Sequence, residues 1–187
     1  MSDPSLMAER AAPPPPSARS RTGEGVALAT EPHACFGCGD QNPIGLQMPL
    51  RHGEGGVCWS EMEIPERFQG WEGIVHGGVI STLLDEVMVW SLVDRDLWGV
   101  TARITVNFKK PVMVGRRIRA EGWIVAVRRR LVDTAGRIID VETGIELATA
   151  EATMVGADEA KKEQLQQRYG DLFGRLQTAR DRRSDAQ

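Results

Sequence analysis

Two adjacent glycines stand just before an apolar run that carries two acids. The stretch reads GIVHGGVISTLLDE, with Gly77 and Gly78 at the start of the run and Asp85 and Glu86 within it. The first N–H groups of a helix have no partner inside the helix, and glycine lets a ligand oxygen approach them closely. Such N–H groups can hold the oxyanion that develops during acyl transfer. An isolated pair of glycines is explained better by a tight turn, so the choice between a turn and an oxyanion site depends on the acids that follow.

The apolar run predicts one long helix, roughly Gly78–Val93. Its apolar side chains fall on nearly every face, which is typical of a buried helix. A carboxylate on such a helix costs free energy unless it is paired, and the loss of water raises its pKa. Such groups are often functional, although a structural pair of acids is an alternative. We therefore select Asp85, which shares a stripe with Ser81, as the candidate catalytic residue ahead of Glu86.

Strand patterns lie on both sides of the helix. The stretch 100–108 alternates strictly between apolar and polar residues and predicts a half-buried strand. One apolar helix among five or six antiparallel strands needs a sheet curved around it, so the predicted class is α+β. The apolar face of the stretch comprises Val100, Ala102, Ile104, Val106 and Phe108, and the other predicted strands are 45–51, 57–64, 117–127, 131–140 and 145–155.

Composition divides the chain into three segments. Residues 1–32 include four consecutive prolines, and we predict that they are disordered. Residues 33–156 form the predicted domain. Residues 157–187 are charged and predict an amphipathic helix and tail that frays after Arg180. The apolar residues at helical spacing in this tail are Leu165, Tyr169, Leu172, Phe173 and Leu176.

Charge and hydropathy narrow the classes of partner. The 187 residues carry a formal net charge of −3, which gives no reason to expect nucleic acid or a membrane surface as a partner. No apolar run reaches the length of about 18 residues that a membrane span needs. The N-terminus lacks the apolar segment of a secretory signal, and three cysteines do not make a disulfide framework. We expect a reduced, cytoplasmic protein without membrane insertion.

The stretch CFGC, from Cys35 to Cys38, has the spacing of metal ligands. His33, His52 and Cys58 lie nearby in the sequence. A closed zinc site takes four ligands, usually from paired motifs, and a second CxxC is absent. The favoured interpretation is a structural turn that packs two buried thiols. No metal is therefore predicted.

Three motifs together resemble a known family. They are HGG with an acid nine residues after His76, the strand TARITVNFKKPVMVG, and the stretch CFGCGDQNPIGL. This combination, over roughly Cys35–Val155, resembles the hotdog-fold acyl-CoA thioesterases of the PaaI and Them type. The resemblance implies a helix wrapped by an antiparallel sheet, and dimers that pair their sheets edge to edge. It also implies hydrolysis of an acyl-CoA or aryl-CoA thioester with no cofactor beyond the coenzyme A of the substrate.

The resemblance assigns roles to single residues. Asp85 falls on the catalytic carboxylate of the family, Gly77 on its oxyanion N–H and Thr101 on an assisting threonine. His76 is either a base or a residue that orients the loop and caps the helix through its ring N–H. The basic run from Arg128 is either a solvated face or a phosphate site, for which arginine geometry is well suited. The residues expected to contact coenzyme A are Gly78, Asn107, Lys109, Lys110, Arg128 and Arg130.

One position departs from the family. Gly70 stands where PaaI-type sequences often have asparagine, six residues before the histidine. The resemblance then leaves Gln69 or Glu72 to position the water.

The spacing of the two central groups predicts a dimer. Gly77 and Asp85 are eight residues apart, which is about 12 Å along a helix. A reacting carbonyl needs its oxyanion donor and its base both within about 3 Å. A two-fold partner can supply the second group, which gives two equivalent sites. We expect a homodimer, or two dimers paired as a homotetramer.

Two other functions fit much of the same pattern. A non-catalytic acyl-CoA-binding hotdog protein would bind the ligand without needing Asp85 for turnover. A dehydratase of the same fold would pair a histidine with the acid, and the spacing from HGG to the acid favours thioester hydrolysis. The acyl group stays open, because the tryptophans fit either an acyl or aryl pocket or the core. They are Trp59, Trp71, Trp90 and Trp98.

Overall fold

The computed structural model describes residues 25–184 of the chain. Within these residues, a sheet of seven strands packs around a central helix. The strands are β1 (Val26–Ala27), β2 (Leu50–His52), β3 (Cys58–Glu63), β4 (Gly99–Phe108), β5 (Arg117–Arg128), β6 (Leu131–Asp140) and β7 (Glu146–Gly156). The helices are α1 (Gly77–Ser91), α2 (Glu159–Tyr169) and α3 (Leu172–Ser184). None of these helices combines the length and the apolar character needed to cross a bilayer.

Neighbouring strands of the sheet are antiparallel, in the order β1-β2-β3-β5-β6-β7-β4. The strand β4 follows α1 in the chain but pairs with β7, so β4 forms one edge of the sheet. The predicted α+β hotdog architecture is confirmed. The sheet has seven strands rather than five or six because Val26–Ala27 adds a short strand beside β2.

The helix α1 is buried where it crosses the middle of the sheet. Leu83, Leu84, Val87 and Met88 are each at most 1% exposed. Gly122 of β5 lies directly against the helix, since a Cβ at this position would lie 2.5 Å from the Val87 carbonyl oxygen. The missing side chain lets the helix backbone approach the sheet closely. The position of α1 on the sheet is therefore set by backbone contact.

Residues 25–32 belong to the folded domain, which corrects the disorder predicted up to residue 32. Leu28 donates its N–H to the Leu50 carbonyl oxygen at 2.9 Å. Arg175 of α3 donates to the Ala29 carbonyl oxygen at 2.7 Å. These partners lie far along the chain, so local composition does not reveal them. The disorder predicted for residues 1–24 concerns a segment outside the described residues.

The C-terminal segment forms two helices that pack on the domain. The predicted single helix breaks at Gly170, whose φ of 91° lies in the region that favours glycine. Leu172 and Leu176 are each 1% exposed and belong to the main apolar core. The segment after residue 156 therefore packs on the domain, and α3 extends past Arg180, where fraying is predicted.

Replacing Gly122 with Ala tests the close approach of α1 to the sheet. The added methyl group would overlap the helix backbone, and overpacking of this kind costs about 1–3 kcal/mol. We expect the free energy of unfolding, measured by urea denaturation, to fall by that amount. Gly53→Ala is the matched control, because a Cβ at Gly53 would meet its nearest atom at 3.5 Å and the Gly53 φ is −94°. Equal losses in the two variants would contradict the packing explanation.

A buried histidine below the end of α1 should make stability depend on pH. His52 is 1% exposed, and its Nε2 lies 2.9 Å from the Trp90 carbonyl oxygen. A carbonyl oxygen only accepts hydrogen bonds, so Nε2 carries the proton. Burial lowers the pKa of His52 to about 4, although the charge of Asp94 opposes part of that change.

The folded-state pKa of His52 is lower than its unfolded value of about 6.5, so the unfolded chain binds more protons between these two values. The contribution of His52 to stability is therefore complete above pH 6.5 and is lost as the pH falls towards 4. Urea denaturation over this pH range should show a decrease of up to about 3 kcal/mol from this group. His52→Gln should flatten the dependence, and an unchanged slope would rule out His52 as its source.

Candidate active site

A carboxylate of α1 and a hydroxyl of β4 form the centre of the site. The Thr101 Oγ1 donates a hydrogen bond to Asp85 Oδ1 at 2.6 Å. Burial raises the pKa of Asp85, the hydrogen bond from Thr101 opposes this effect, and the charge of Glu86 adds to it. A desolvated carboxylate that is held in one orientation is a stronger base and nucleophile than a solvated one. The structure thus brings together the acid and the threonine selected from the sequence.

A β-bulge in β4 aims Thr101 at the helix. Thr101 pairs with Met154 and Arg103 pairs with Thr153, which leaves Ala102 without a partner in β7. The strict alternation predicted for this strand is therefore wrong at its start. Thr101 lies on the inner face, and Val100 is 67% exposed instead of facing the core. The extra residue shifts the side-chain alternation by one position, as bulges beside active sites often do.

Asp85 and Thr101 line a largely apolar cavity of about 570 Å³ between α1, the start of β4 and α2. Three aromatic rings form one wall, since the ring centroid of Tyr169 lies 6.0 Å from that of Trp90 and 6.2 Å from that of Trp98. The remaining apolar lining includes Val89, Val93, Leu97 and Leu165. The cavity suits an apolar or aromatic group whose polar end lies at the carboxylate.

The tryptophans divide between the cavity and other places. Trp90 and Trp98 line the cavity. Trp59 lies below the guanidinium of Arg119, at 4.0 Å from the Arg119 Cζ to the ring centroid, and Trp71 is 83% exposed. Two of the four candidates are therefore placed to contact a ligand in this cavity.

The N-terminus of α1 is capped by the residue before the glycines. The His76 Nδ1 accepts a hydrogen bond from the Gly78 N–H at 2.9 Å. His76 therefore caps the helix, but through an acceptor nitrogen and not through a ring N–H as predicted. The Gly78 N–H is already engaged by this cap. Among the described residues the Gly77 N–H has no hydrogen-bond acceptor, and it remains available to an external oxygen.

The Gly77 N–H and the Asp85 carboxylate lie at opposite ends of β4. Asp85 contacts Thr101 near the start of the strand. A Cβ at Gly77 would lie 3.5 Å from the Phe108 ring at the end of the strand. The two groups are separated by about 12 Å along α1. One chain therefore does not bring the predicted oxyanion donor and the predicted base to the same carbonyl.

The basic residues predicted to contact coenzyme A also fall into two groups within one chain. Arg130 donates to the Gly156 carbonyl oxygen at 3.0 Å and lines the cavity at the start of β4. Lys109 follows the end of β4, about 30 Å away along the strand, and forms an ion pair with Glu146. Arg128 lies with Arg130 and pairs with Asp133, whereas the exposed Asn107 and Lys110 lie with Lys109. These predicted residues therefore do not form a single phosphate site within one chain.

Of the two residues expected to replace the missing asparagine, Gln69 has another contact. The Gln69 Oε1 accepts a hydrogen bond from the Gly73 N–H at 3.1 Å and so holds the turn before α1. The ring of His76 lies against Gly70, where a Cβ would approach the His76 Cδ2 to 3.1 Å. Glu72 is exposed. The assignment of a water-positioning residue to Gln69 or Glu72 stays a prediction.

A second carboxylate of α1 has partners that the sequence does not reveal. The Cys35 Sγ donates to Glu86 Oε1 at 3.2 Å, and the Trp90 Nε1 donates to Glu86 Oε2 at 3.0 Å. Both cysteines of the CFGC stretch are partly exposed to the cavity, so they are not the two buried thiols that were predicted. Because 51 residues separate Cys35 from Glu86, no local pattern signals this contact.

Comparison with known proteins supports the fold and the family. Residues 72–146 match the family described as the thioesterase superfamily. The resemblance to this family is confirmed. No curated protein matches the sequence.

Several solved structures share the fold. A thioesterase superfamily protein is 25% identical, and the match covers 60% of this chain and 55% of that protein, with a TM-score of 0.57. The PaaI protein from the phenylacetic acid degradation operon of Escherichia coli is 15% identical, with 60% and 81% covered and a TM-score of 0.56. A Streptococcus mutans protein bound to acetyl-CoA is 22% identical, with 59% and 88% covered and a TM-score of 0.55. The chain thus spans little more than half the length of the first of these proteins.

Proposed function

We propose that this protein hydrolyses an acyl-CoA or aryl-CoA thioester to the free acid and coenzyme A. The observation that carries the proposal is the half-buried Asp85 carboxylate, which is held by Thr101 in the wall of an apolar cavity. The thioesterase superfamily match and the fold shared with an acetyl-CoA-bound protein support the same substrate class. A further parallel is a Streptococcus pneumoniae thioesterase, solved with Asp→Ala and with Thr→Ala substitutions at positions sixteen residues apart, the spacing of Asp85 and Thr101.

The cavity would hold the acyl or aryl group of the substrate, and the carboxylate would act on its thioester. The acyl or aryl group would lie against Trp90 and Trp98, which places its thioester carbonyl near Asp85. Asp85 then either takes a proton from a water that attacks the carbonyl carbon, or attacks that carbon itself and is released by water. In both routes the carbon–sulfur bond breaks, and the sulfur leaves with a proton as the thiol of coenzyme A. Both routes need a donor for the carbonyl oxygen as it gains charge.

The missing donor is proposed to come from a second copy of the chain. The strand β4 is an exposed edge of ten residues that displays Val100 and Phe108, which are 67% and 58% exposed. Natural proteins rarely leave such an edge uncovered. An antiparallel pairing of two β4 strands, with Thr101 opposite the partner's Phe108, would bring Asp85 next to the partner's Gly77. It would also bring Arg130 towards the partner's Lys109, where the phosphates of coenzyme A need positive charge.

Asp85→Asn tests the catalytic carboxylate. The amide keeps the volume of the side chain but removes its charge and basicity. We expect kcat for the best acyl-CoA substrate to fall by at least about 100-fold, the scale of one positioned acid–base group. KM should change much less, because most of the contacts with coenzyme A lie elsewhere.

Glu151→Gln is the control for this change, because it makes the same carboxylate-to-amide replacement at an exposed position of β7. It should retain near wild-type kcat. A wild-type kcat for Asp85→Asn across a panel of acyl-CoA and aryl-CoA thioesters would remove the proposed role of Asp85.

Gly77→Pro tests the oxyanion donor without disturbing the helix. Proline is tolerated at the first helical position, where it removes only the N–H. His76 has a φ of −61° and a ψ of 135°, a conformation that a following proline permits. We expect kcat to fall by about 100- to 1000-fold, as for the loss of one oxyanion donor. Gly77→Ala keeps the N–H and should lose little activity, so equal losses in the two variants would contradict this role.

Mixing the two inactive variants tests whether the site is shared. A heterodimer of Asp85→Asn and Gly77→Pro chains contains one site with an intact Asp85 and an intact Gly77 N–H. Random exchange of subunits should restore about a quarter of the wild-type activity per chain, because half of the dimers each regain one of two sites. Mixtures that stay as inactive as the separate variants, after mass spectrometry has shown subunit exchange, would place both groups in one chain.

A further inference from the structure

Three potential metal ligands meet at the edge of the cavity. The Cys35 Sγ, the Cys38 Sγ and a carboxylate oxygen of Glu86 all lie within 4.8 Å of one another. The Cys35 Sγ is 3.2 Å from Glu86 Oε1. A tetrahedral zinc ion bound by sulfur at about 2.3 Å and oxygen at about 2.0 Å separates two such ligands by about 3.5 Å. The Cys35 and Glu86 ligand atoms are therefore spaced nearly as a metal would hold them, and the Cys38 Sγ lies within 4.8 Å of both.

The backbone around the cysteines holds their sulfur atoms against Glu86. A Cβ at Gly37, between the cysteines, would overlap the Glu86 side chain, at 2.5 Å from its Cδ. A Cβ at Gly39 would overlap the backbone of Cys35, whose carbonyl oxygen accepts the Gly39 N–H at 3.1 Å. The loop can therefore pack this closely only because Gly37 and Gly39 have no side chains.

A tryptophan contacts two of the three ligands. The Trp90 Nε1 lies 3.0 Å from Glu86 Oε2 and 3.2 Å from the Cys38 Sγ. Hydrogen bonds from outside a metal's first shell commonly fix the orientation of its ligands in this way. Trp90 supplies no ligand itself, so it holds the two ligand atoms in position without occupying a coordination position of the metal.

We propose that Cys35, Cys38 and Glu86 bind one zinc ion, with a fourth coordination position open to the cavity. Zinc combines thiolate and carboxylate ligands in tetrahedral sites, and sites with three protein ligands keep one position for water or a substrate atom. The fourth position faces the cavity because all three ligands line it. His33 also lines the cavity, but its Nδ1 accepts the Cys35 N–H and its Nε2 contacts Thr30 Oγ1. Binding releases the two thiol protons to solvent, and the three anionic ligands then face a divalent cation.

The sequence pattern alone does not predict this site, because it supplies two ligands of one CxxC motif. The third ligand comes from α1, and its neighbour Asp85 points instead to Thr101. Successive helix residues are rotated by about 100°, so adjacent acids reach different partners. Without a metal, Glu86 accepts hydrogen bonds from the Cys35 thiol and the Trp90 indole. A divalent cation would replace the first of these bonds when the thiol loses its proton, and the bond from Trp90 would remain.

Titration of the full-length, reduced, metal-free protein with Co²⁺ tests the site, because cobalt substitutes for zinc and absorbs visibly when thiolates bind it. We expect one Co²⁺ per chain, a sulfur-to-cobalt charge-transfer band, and displacement of the cobalt by an equivalent of Zn²⁺. Cys35→Ser and Cys38→Ser should each weaken binding by at least about 100-fold, and Glu86→Gln by at least about 10-fold. No thioester is present in this measurement, so its outcome is independent of the proposed hydrolase activity.

Cys58→Ala is the control, since Cys58 is a third cysteine that is buried in the apolar core and is not one of the three clustered ligands. It should keep the full cobalt affinity and spectrum. Circular dichroism identifies any variant that fails to fold, and Glu86→Gln then decides, because it changes no sulfur and little volume. Absence of the band in the reduced wild type, a Cys35–Cys38 disulfide that forms in place of metal binding, or equal affinity in Glu86→Gln would each overturn the proposal.

Discussion

The close crossing of α1 over the sheet is the contact on which the rest of the site depends. Gly122 and Gly136 pair across β5 and β6 below the helix. A Cβ at Gly136 would approach the Met88 Cγ to 3.2 Å, and one at Gly122 would overlap the Val87 backbone. Because the helix lies on the sheet backbone here, it cannot slide or rotate without losing buried contacts. Two adjacent acids are thereby fixed in different directions, Asp85 towards β4 and Glu86 towards Cys35.

The strand β4 orders the functional groups along one edge of the sheet. Asp85, Thr101 and Arg130 lie at its start, and Gly77 and Lys109 lie at its end. A single chain thus carries two incomplete halves of the proposed site. In the proposed dimer the two-fold axis brings unlike halves together, so the proposed catalysis requires assembly of the dimer.

Local pattern was sufficient to predict α1 and most of the strands, whereas the roles of the central residues came from the resemblance to a known family. The resemblance, through HGG and the acid nine residues after His76, assigned roles to Asp85 and Thr101, which are in contact. The all-round apolar run identifies α1, and the strand patterns place β5, β6 and β7 within a residue or two. These features depend on residues close together in the chain, where periodicity and helix-start chemistry act. The strand β1 was not predicted, because its two residues pair with β2, which lies further along the chain, and local pattern does not reveal such a partner.

The features that escaped prediction all depend on distant partners or on backbone irregularity. The contact between Cys35 and Glu86, the docking of α3 on residues 29–31 and the split at Gly170 leave no periodic signal. The bulge at Ala102 is a further case, because the residues around it alternate as in a regular strand. Side-chain chemistry was therefore easier to predict than the way in which the backbone presents it.

The bulge in β4 also means that the site depends on a residue count as well as on residue identity. Ala102 makes no pairing with β7, yet its presence decides which face of the sheet receives the Thr101 hydroxyl. A related sequence that kept aspartate and threonine but lost one residue after the threonine would direct that hydroxyl away from the carboxylate. In an alignment of homologues, a one-residue gap at this position would therefore distinguish proteins in which the aspartate and the threonine are in contact from proteins that have both residues without the contact.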